Sequence, residues 1–413
     1  MRHVIVIGGG QAGASLVARL RGRGFDGRIT LVCGETSPPY QRPPLSKAYL
    51  LGRLEKERLF LRPAAFYEEN GIELRLGQMA ERIEPAARRV RVGGDWLAYD
   101  ALVLATGAAP RRLPEAMGGT LGGVHVLRDL EDVDGMRASF VEGRRALIVG
   151  GGYIGLEAAA AARMNGMTVT LVETAERILR RVAAPQTSDY FRALHERNGV
   201  DLREGAGLDR LETAQGAVSG GAVAAARLSD GARIEVDLAL VGIGVSARDA
   251  LARSAGIETG PAPSGGIVVD ALGRSSAPGV WAAGDCTLLP HEGEMIRLES
   301  VQNAIDQAEA VADNIMGADT PYVPRPWFWS DQYDVKLQIA GLGTNADRIV
   351  VREGAAPAQR SHWYFRGKRL IAVDAMNDAR GYMIGKRLIE ADRSPDPDLV
   401  ADPGVDLKAL LAS

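Results

Sequence analysis

Short apolar runs that end in glycine recur along the chain, and two of them lead into the same pattern. His3-Val4-Ile5-Val6-Ile7 runs into Gly8-Gly9-Gly10-Gln11-Ala12-Gly13, and Ala146-Leu147-Ile148-Val149 runs into Gly150-Gly151-Gly152-Tyr153-Ile154-Gly155. An alanine-rich helical pattern follows each, so both read as strand, tight turn and helix. In such a unit Gly8 and Gly150 permit the turn. Gly10 and Gly152 let the backbone approach a pyrophosphate, and Gly13 and Gly155 let helix and strand pack closely. The helix N-terminus then presents free N–H groups and a partial positive charge to the phosphates. An acid is expected about 20 residues further on to hold ribose hydroxyls. Glu35 follows the first unit and Glu173 the second. Two complete copies imply two dinucleotides, hence a flavoprotein with FAD in one site and a nicotinamide cofactor in the other.

The remaining periodicities order the chain. Tyr40-Gln41-Arg42-Pro43-Pro44-Leu45-Ser46-Lys47 is an extended turn leading into a helical stretch at Leu45–Leu50. Arg42 and Lys47 fall near that helix start, where the dipole does not favour cations, so another partner is expected to reward them. Glu55-Lys56-Glu57-Arg58 reads as a solvated helix face. Residues 72–104 read as short strands, the last ending in Ala105-Thr106-Gly107, a small-residue turn suited to passing beside a cofactor. Glu157 lies one turn into the helix predicted over Ile154–Asn165. Strands follow near Val200–Arg203, Leu208–Leu211 and Val223–Leu228, and a strand ending in Gly242-Ile243-Gly244 marks the return crossover. Gly279–Ala283 runs into Gly284-Asp285, whose carboxylate can accept hydrogen bonds from ligand hydroxyls. A helix over Val301–Ile315 shows one apolar face. After a proline-rich linker, Trp327–Ala340, Arg348–Arg352, Ser361–Phe365 and Lys368–Asp374 alternate like antiparallel strands, followed by a helix over Ala379–Glu390 and a short Leu407–Leu411 segment.

Composition narrows the reading. The 413 residues suffice for two or three domains, with 46% hydrophobic and 24% charged residues in a globular balance. The net charge of −3 argues against a nucleic-acid binder. No apolar run reaches membrane-spanning length, Met1-Arg2 leaves no room for a signal peptide, and the two cysteines are far apart; a cytoplasmic location is expected. The five histidines have no metal-ligand spacing, so no metal is expected.

The chain resembles the FAD-dependent, NADH-using ferredoxin reductases of the putidaredoxin-reductase-like group, which serve oxygenases. The markers are Gly8–Gly13, Arg42-Pro43-Pro44-Leu45-Ser46-Lys47, Ala105-Thr106-Gly107, Gly150–Gly155 with Glu157, Trp281-Ala282-Ala283-Gly284-Asp285, Glu299-Ser300-Val301-Gln302 and Trp327-Phe328-Trp329-Ser330-Asp331-Gln332. The resemblance covers nearly the whole chain. It implies an α/β fold of glutathione-reductase-like architecture, with two Rossmann-like nucleotide-binding domains and a C-terminal α+β domain. Residues 1–112 and 243–322 would form a discontinuous FAD-binding domain, 113–242 the NAD-binding domain and 323–413 the C-terminal domain. FAD would be held by the first glycine unit (Gly8, Gly10, Gln11, Ala12, Gly13), Glu35, Arg42, Lys47, Ala105, Thr106, Gly107, Gly284, Asp285, Glu299, Ser300 and Val301. NADH would be held by Gly150, Gly152, Tyr153, Ile154, Gly155, Glu157, Glu173, Gly242, Ile243 and Gly244. Lys47 would reach the flavin ring and pair with Glu157, and Trp329 would cover part of the isoalloxazine. The family commonly has a proline soon after the second crossover glycines; here Val245-Ser246-Ala247-Arg248 follows.

Hydride transfer places negative charge on a flavin, which a lysine ammonium stabilises, and a carboxylate partner offsets the cost of placing that lysine in an apolar cleft. Lys47 and Glu157 are the catalytic candidates in this electrostatic sense. Electrons would then pass to a [2Fe–2S] ferredoxin and onward to an oxygenase such as a cytochrome P450 or a dioxygenase. Glu173 predicts NADH over NADPH, with Arg177, Arg180 and Arg181 nearby. An acidic ferredoxin would need a basic rim, for which Arg62, Arg297, Arg325 and Lys408 are candidates. A monomer or weak dimer is expected, with no nucleic-acid or membrane partner. Two rival functions are a disulfide or peroxide reductase and a binding or signalling flavoprotein resembling apoptosis-inducing factor. The first lacks a cysteine pair: Cys33 reads as a small buried residue, and Cys286 follows Asp285 without a resolving partner.

Overall fold

The computed structural model describes residues 1–411. The chain forms two compact units, both assembled from separate segments. The first takes Met1–Arg42, Glu55–Ala109 and Val245–Pro326; the second takes Pro43–Leu54, Pro110–Gly244 and the chain from Trp327 onward.

In the first unit the strands His3–Ile7, Arg28–Cys33, Ile72–Leu76, Ala101–Leu104 and Val280–Ala282 make one parallel sheet, with His3–Ile7 in the middle. Its neighbours register Val4 against Ile29 and Ile5 against Leu102. A central parallel strand is buried on both faces, so its residues are apolar without interruption while still alternating in direction. Val4 and Val6 join the core under the helices Gln11–Gly22 and Val301–Ile315, with Leu16, Val103 and Val311. Ile5 and Ile7 join the opposite core, with Val90, Leu102 and Ile267. Arg19 and Arg23, from the end of the first helix, both bind Asp313 on the second. Those two guanidiniums hold the Asp313 carboxyl well below the usual carboxylate range.

The second unit repeats the arrangement. Its parallel sheet runs Val200–Glu204, Thr168–Glu173, Arg145–Val149, Leu238–Val241, Val124–His125, with the glycine-turn strand again central. The helix Tyr153–Met164 buries Leu156 to Ala162 almost completely, because alanine lets the helix approach its neighbours closely. The same unit contains an antiparallel five-stranded sheet ordered Trp327–Gln332, Val335–Gly341, Arg369–Met376, Arg360–Arg366, Arg348–Glu353. The helix Ala379–Glu390 packs on it through Ile384 and Leu388 against Trp363 and Val373. A buried polar cluster joins this sheet to the helix Pro185–Arg197: Thr187 Oγ1 donates to Asp374 Oδ2 at 2.7 Å, and Tyr364 also donates to that carboxylate. Burial pushes the Asp374 carboxyl up to about 6.

The helices over Val301–Ile315 and Ala379–Glu390 fall where the periodicity places them. Three local expectations differ. The stretch expected to be helical at Leu45–Leu50 is a 3₁₀ turn at Pro43–Ser46 followed by irregular turns. Pro43 and Pro44 contribute no N–H, and the Ser46 and Lys47 side chains are drawn to Glu157. The alternation over Trp327–Ala340 is a hairpin, broken by Tyr333 at φ +54°. Glu55–Arg58 contributes only to a 3₁₀ turn at Lys56–Leu59, ended by buried Leu59.

Candidate functional site

The first glycine loop is shaped by close backbone approaches. Gly8 has φ +122°, and a Cβ there would be driven into the Ala105 carbonyl oxygen; one on Gly13 would be driven into the Gly8 carbonyl oxygen. Ala105-Thr106-Gly107 is therefore held against the loop. Thr106 donates to the Arg248 carbonyl at 2.6 Å, and Arg248 N–H donates to the Gly107 carbonyl at 2.9 Å. Gly10 differs: nothing lies within 4 Å of the place its Cβ would take. The helix that starts at Gln11 has no side-chain cap and no acid in its first turn. Unoccupied donors around an open glycine are the anion cradle that a pyrophosphate needs, so these residues fit a dinucleotide.

Gly284 brings its neighbour Asp285 to this loop, since a Cβ on Gly284 would sit 3.0 Å from Ala12 Cβ. Gly284 N–H donates to buried Gln307 Oε1 at 2.8 Å, which also accepts from Thr287 at 3.1 Å. Gln307 was not singled out from sequence; its place on the helix face that turns toward Gly284 was the available signal. Glu35 receives hydrogen bonds from Arg42 and Tyr40, and Arg42 stacks over the Tyr40 ring at 5.1 Å. Two expected cofactor residues are thus brought together, with Tyr40 as a linking side chain that sequence reading passed over. Ser300 caps the helix Val301–Ile315 by accepting from Asn303 N–H at 3.1 Å, and Glu299 pairs with Arg297 at 2.5 Å. Arg297 was expected on an exposed rim. Instead its side chain is 10% exposed and donates to the Asp285 carbonyl as well, because it closes the turn after Gly284.

The cysteines are structural. Cys33 lies beneath the first loop, where a Cβ on Gly9 would be driven into its sulfur, and burial pushes its thiol up to about 12. Cys286 is fully buried, donates to the Leu104 carbonyl at 3.3 Å, and its thiol is also pushed up by burial.

The second loop repeats the construction. A Cβ on Gly150 would be driven into the Gly242 carbonyl oxygen, and one on Gly155 into the Gly150 carbonyl oxygen, while Gly152 again faces open space. Gly242-Ile243-Gly244 therefore stands to this loop as Ala105-Thr106-Gly107 stands to the first. Glu173 behaves differently from Glu35. It accepts from Gly151 N–H at 2.7 Å and Ala175 N–H at 2.8 Å, bridging the glycine loop to the turn after its own strand. Tyr153 stacks on Phe328 at 4.8 Å with its hydroxyl buried, and Ile154 is turned outward at 40% exposed. Trp329 stacks on Trp327 at 5.5 Å.

Glu157 is 6% exposed and gathers donors from the two other segments of the second unit. Lys47 Nζ lies 2.8 Å from Oε2, and Ser46 donates to the same oxygen at 2.6 Å. Ser330 donates to Oε1 at 2.7 Å. The partner expected for Lys47 is therefore present. The two serines sit inside motifs read from sequence, but nothing in spacing alone points a serine at a carboxylate 111 or 173 residues away. Among the described residues, no group of three His, Cys, Asp or Glu side chains is placed to hold a metal ion.

Residues 2–308 match the pyridine nucleotide-disulphide oxidoreductase family, and residues 327–411 match the reductase C-terminal family. The chain is 39% identical to rhodocoxin reductase of Rhodococcus erythropolis, over 99% of this chain and 94% of that one. It is 38% identical to putidaredoxin reductase of Pseudomonas putida, over 100% of this chain and 97% of that one. The crystal structure of the covalent putidaredoxin reductase–putidaredoxin complex superposes with a TM-score of 0.94 and 38% identity, covering 100% of this chain and 98% of that one. With both cradles, the intervening crossovers and the C-terminal sheet all matched in one continuous chain, this protein belongs to the pyridine nucleotide-disulphide oxidoreductases, in their group of putidaredoxin-reductase-like ferredoxin reductases.

Proposed function

We infer that this chain is an FAD-dependent NADH oxidoreductase that delivers electrons to a [2Fe–2S] ferredoxin serving an oxygenase, a cytochrome P450 or a dioxygenase. The observation that carries the reading is the repeated cradle: two helix N-termini, each uncapped and each fronted by an open glycine, in one chain. FAD belongs to the first, with Gly8, Gly10, Gln11, Ala12 and Gly13 at the pyrophosphate and Ala105, Thr106, Gly107, Gly284 and Asp285 bordering it. Glu35 and Arg42 form one hydrogen-bonded set beside the same loop. NADH belongs to the second, with Gly150, Gly152, Gly155, Gly242 and Gly244 shaping the loop and Glu173 placed to accept ribose hydroxyls. The segments 1–112 and 243–322 then serve FAD, 113–242 serves NADH, and 323–413 supplies Trp329.

A bound flavin converts two-electron hydride chemistry into single-electron delivery. The chain's own residues bind, orient and set the field. Lys47 supplies positive charge where negative charge develops, and Glu157 keeps that charge paired. Glu173 repels a 2′-phosphate and so favours NADH. Arg62, Arg325 and Lys408 remain the proposed basic rim for the ferredoxin. The protein is proposed to act in the cytoplasm as a monomer or weak dimer; among the described residues no helix is long and apolar enough to cross a membrane.

A disulfide or peroxide reductase is disfavoured, because Cys33 and Cys286 are both buried and both have thiols pushed up by burial. The deciding experiment is NADH-driven reduction of [2Fe–2S] ferredoxins by the purified flavoprotein. Rapid turnover with at least one supports the reading. Turnover with disulfides or peroxides and none with ferredoxins would overturn it.

A further inference from the structure

Glu157 does not end the hydrogen-bonded chain that begins at Lys47. Ser330 Oγ donates to Glu157 Oε1 at 2.7 Å and accepts from Gln332 Nε2 at 3.1 Å. Gln332 Oε1 in turn accepts from His195 Nε2 at 2.8 Å. Ser330, Gln332 and His195 are all 0% exposed. All belong to the second unit, as do Lys47 and Glu157.

The direction of every link is fixed by chemistry. A carboxylate only accepts, so Ser330 must give its one proton to Glu157. The serine oxygen can then only accept from its other neighbour, so the amide nitrogen of Gln332 faces it. That turns the amide oxygen toward His195, which must carry its proton on Nε2. His195 is held neutral, since burial pushes its imidazole down to about 4. Its Nδ1 is left to accept from Tyr333 OH at 3.4 Å.

We propose that Ser330 and Gln332 are positioning residues for hydride transfer: anchored on His195, they fix the second oxygen of Glu157 and thereby the place of the Lys47 ammonium. The proposal rests on the reading of Lys47 as the charge that assists flavin reduction. The Oε2 side of Glu157 is shared by the flexible Lys47 and by Ser46, so an unanchored carboxylate could rotate and carry the lysine with it. The Oε1 link removes that freedom, because Ser330 and Gln332 lie on one strand and His195 on a helix, with no solvent access along the row. The row holds and does not conduct: an amide at Gln332 interrupts proton transfer, and His195 has no exposed end.

The test compares Ser330→Ala, Ser330→Thr, Gln332→Leu and Lys47→Gln in the full flavin-loaded chain. Anaerobic stopped flow gives the limiting rate of flavin reduction separately from the NADH dissociation constant. The rate at which acetic anhydride labels Lys47, followed by mass spectrometry in flavin-loaded and flavin-free protein, reports the lysine without reference to turnover. Ser330→Ala is expected to lower the limiting rate about 10-fold with NADH affinity kept within about twofold. It should speed Lys47 labelling several-fold in both forms of the protein. Ser330→Thr, which keeps the hydroxyl, should recover most of the rate, and Gln332→Leu should give a smaller loss of the same kind. Adding Ser330→Ala to Lys47→Gln should slow reduction no further. If Lys47→Gln slows reduction while Ser330→Ala and Gln332→Leu change neither rate nor labelling, the positioning role is overturned and the Lys47 reading stands. If Lys47→Gln itself leaves the limiting rate unchanged, the Lys47 reading fails, and this inference fails with it.

Discussion

The two glycine loops solve one steric problem in the same way and then diverge. Each first glycine lies on the carbonyl of a crossover turn, Ala105 in one case and Gly242 in the other, and each third glycine lies on the carbonyl of the first. What differs is the use of the acid that follows. Glu35 is tied to Tyr40 and Arg42 further along its own loop, whereas Glu173 reaches across to the Gly151 N–H of the glycine loop and also holds Ala175 N–H just beyond its own strand. The first loop also has the Gly284-Asp285 turn laid against its helix through Ala12, and the second has Glu157 with its bound lysine instead. The backbone motif thus specifies an anion cradle, and the side chains around it decide the task. On the proposed assignment the first set would enclose a cofactor that stays, and the second would receive one that comes and goes and meets a placed charge.

The largest expected effect breaks this comparison at the third glycines. Gly13→Ala and Gly155→Ala create the same clash with a backbone carbonyl. Gly13→Ala should yield protein that has lost most of its flavin absorbance. Gly155→Ala should stay yellow and bind NADH roughly 100-fold more weakly, measured by titration. Loss of flavin from Gly155→Ala with retention in Gly13→Ala would reverse the assignment of the two sites.

Next in size is the charge that distinguishes the second cradle. Glu157→Gln leaves Lys47 beside a neutral amide, and the limiting rate of flavin reduction should fall by about 10-fold or more at unchanged flavin content. A smaller effect is expected at Glu173. Glu173→Gln removes the repulsion toward a 2′-phosphate, so the ratio of kcat/KM for NADPH to that for NADH should rise roughly 10-fold. The NADH value should itself fall, because the loop loses a charged acceptor at Gly151 and Ala175.

Most strands of the parallel sheets were legible as short apolar runs ending in glycine, the helices after the two glycine loops and over Val301–Ile315 and Ala379–Glu390 from period-3.6 patterning, and most of the C-terminal strands from alternation. The strand Val124–His125 and the helices Leu130–Arg137 and Pro185–Arg197 were not anticipated. The cradle glycines were legible because a side chain is excluded there. The contents of the Glu157 cluster were legible only in part. Lys47 and Glu157 could be named as a pair from the resemblance, but Ser46, Ser330, Gln332 and His195 are polar residues whose partners lie on other segments, and no periodicity encodes a contact at that separation. Arg297 was misjudged for a related reason: an arginine near a turn reads as exposed until the carbonyls it closes are known. The helix expected after Pro44 failed because long-range pairing of Ser46 and Lys47 outweighs local propensity.

The smallest expected effects contrast the two units through pH. Asp313 in the first unit is held low by Arg19 and Arg23, so its contribution to stability is present above its unfolded pKa of about 3.8 and is lost as pH falls. Asp374 in the second unit is pushed up to about 6, so its contribution is full below about 3.8 and is lost as pH rises through about 6. Asp374→Asn stays neutral throughout, and its Tm relative to the unsubstituted protein should rise by a few degrees between pH 4.5 and pH 7.5, by roughly 2–3 kcal/mol at most. The deficit of Asp313→Asn should begin to shrink only as pH falls below about 3.8 and should persist in large part at about pH 3. Calorimetry across that range checks both signs.

The most direct measurement is an anaerobic titration of the purified yellow protein with NADH, followed by the flavin absorbance. The two-cradle account predicts that the absorbance bleaches with an end point at one NADH per bound flavin. A flavin that stays oxidised in excess NADH, or a polypeptide that remains colourless when FAD is supplied, would contradict it.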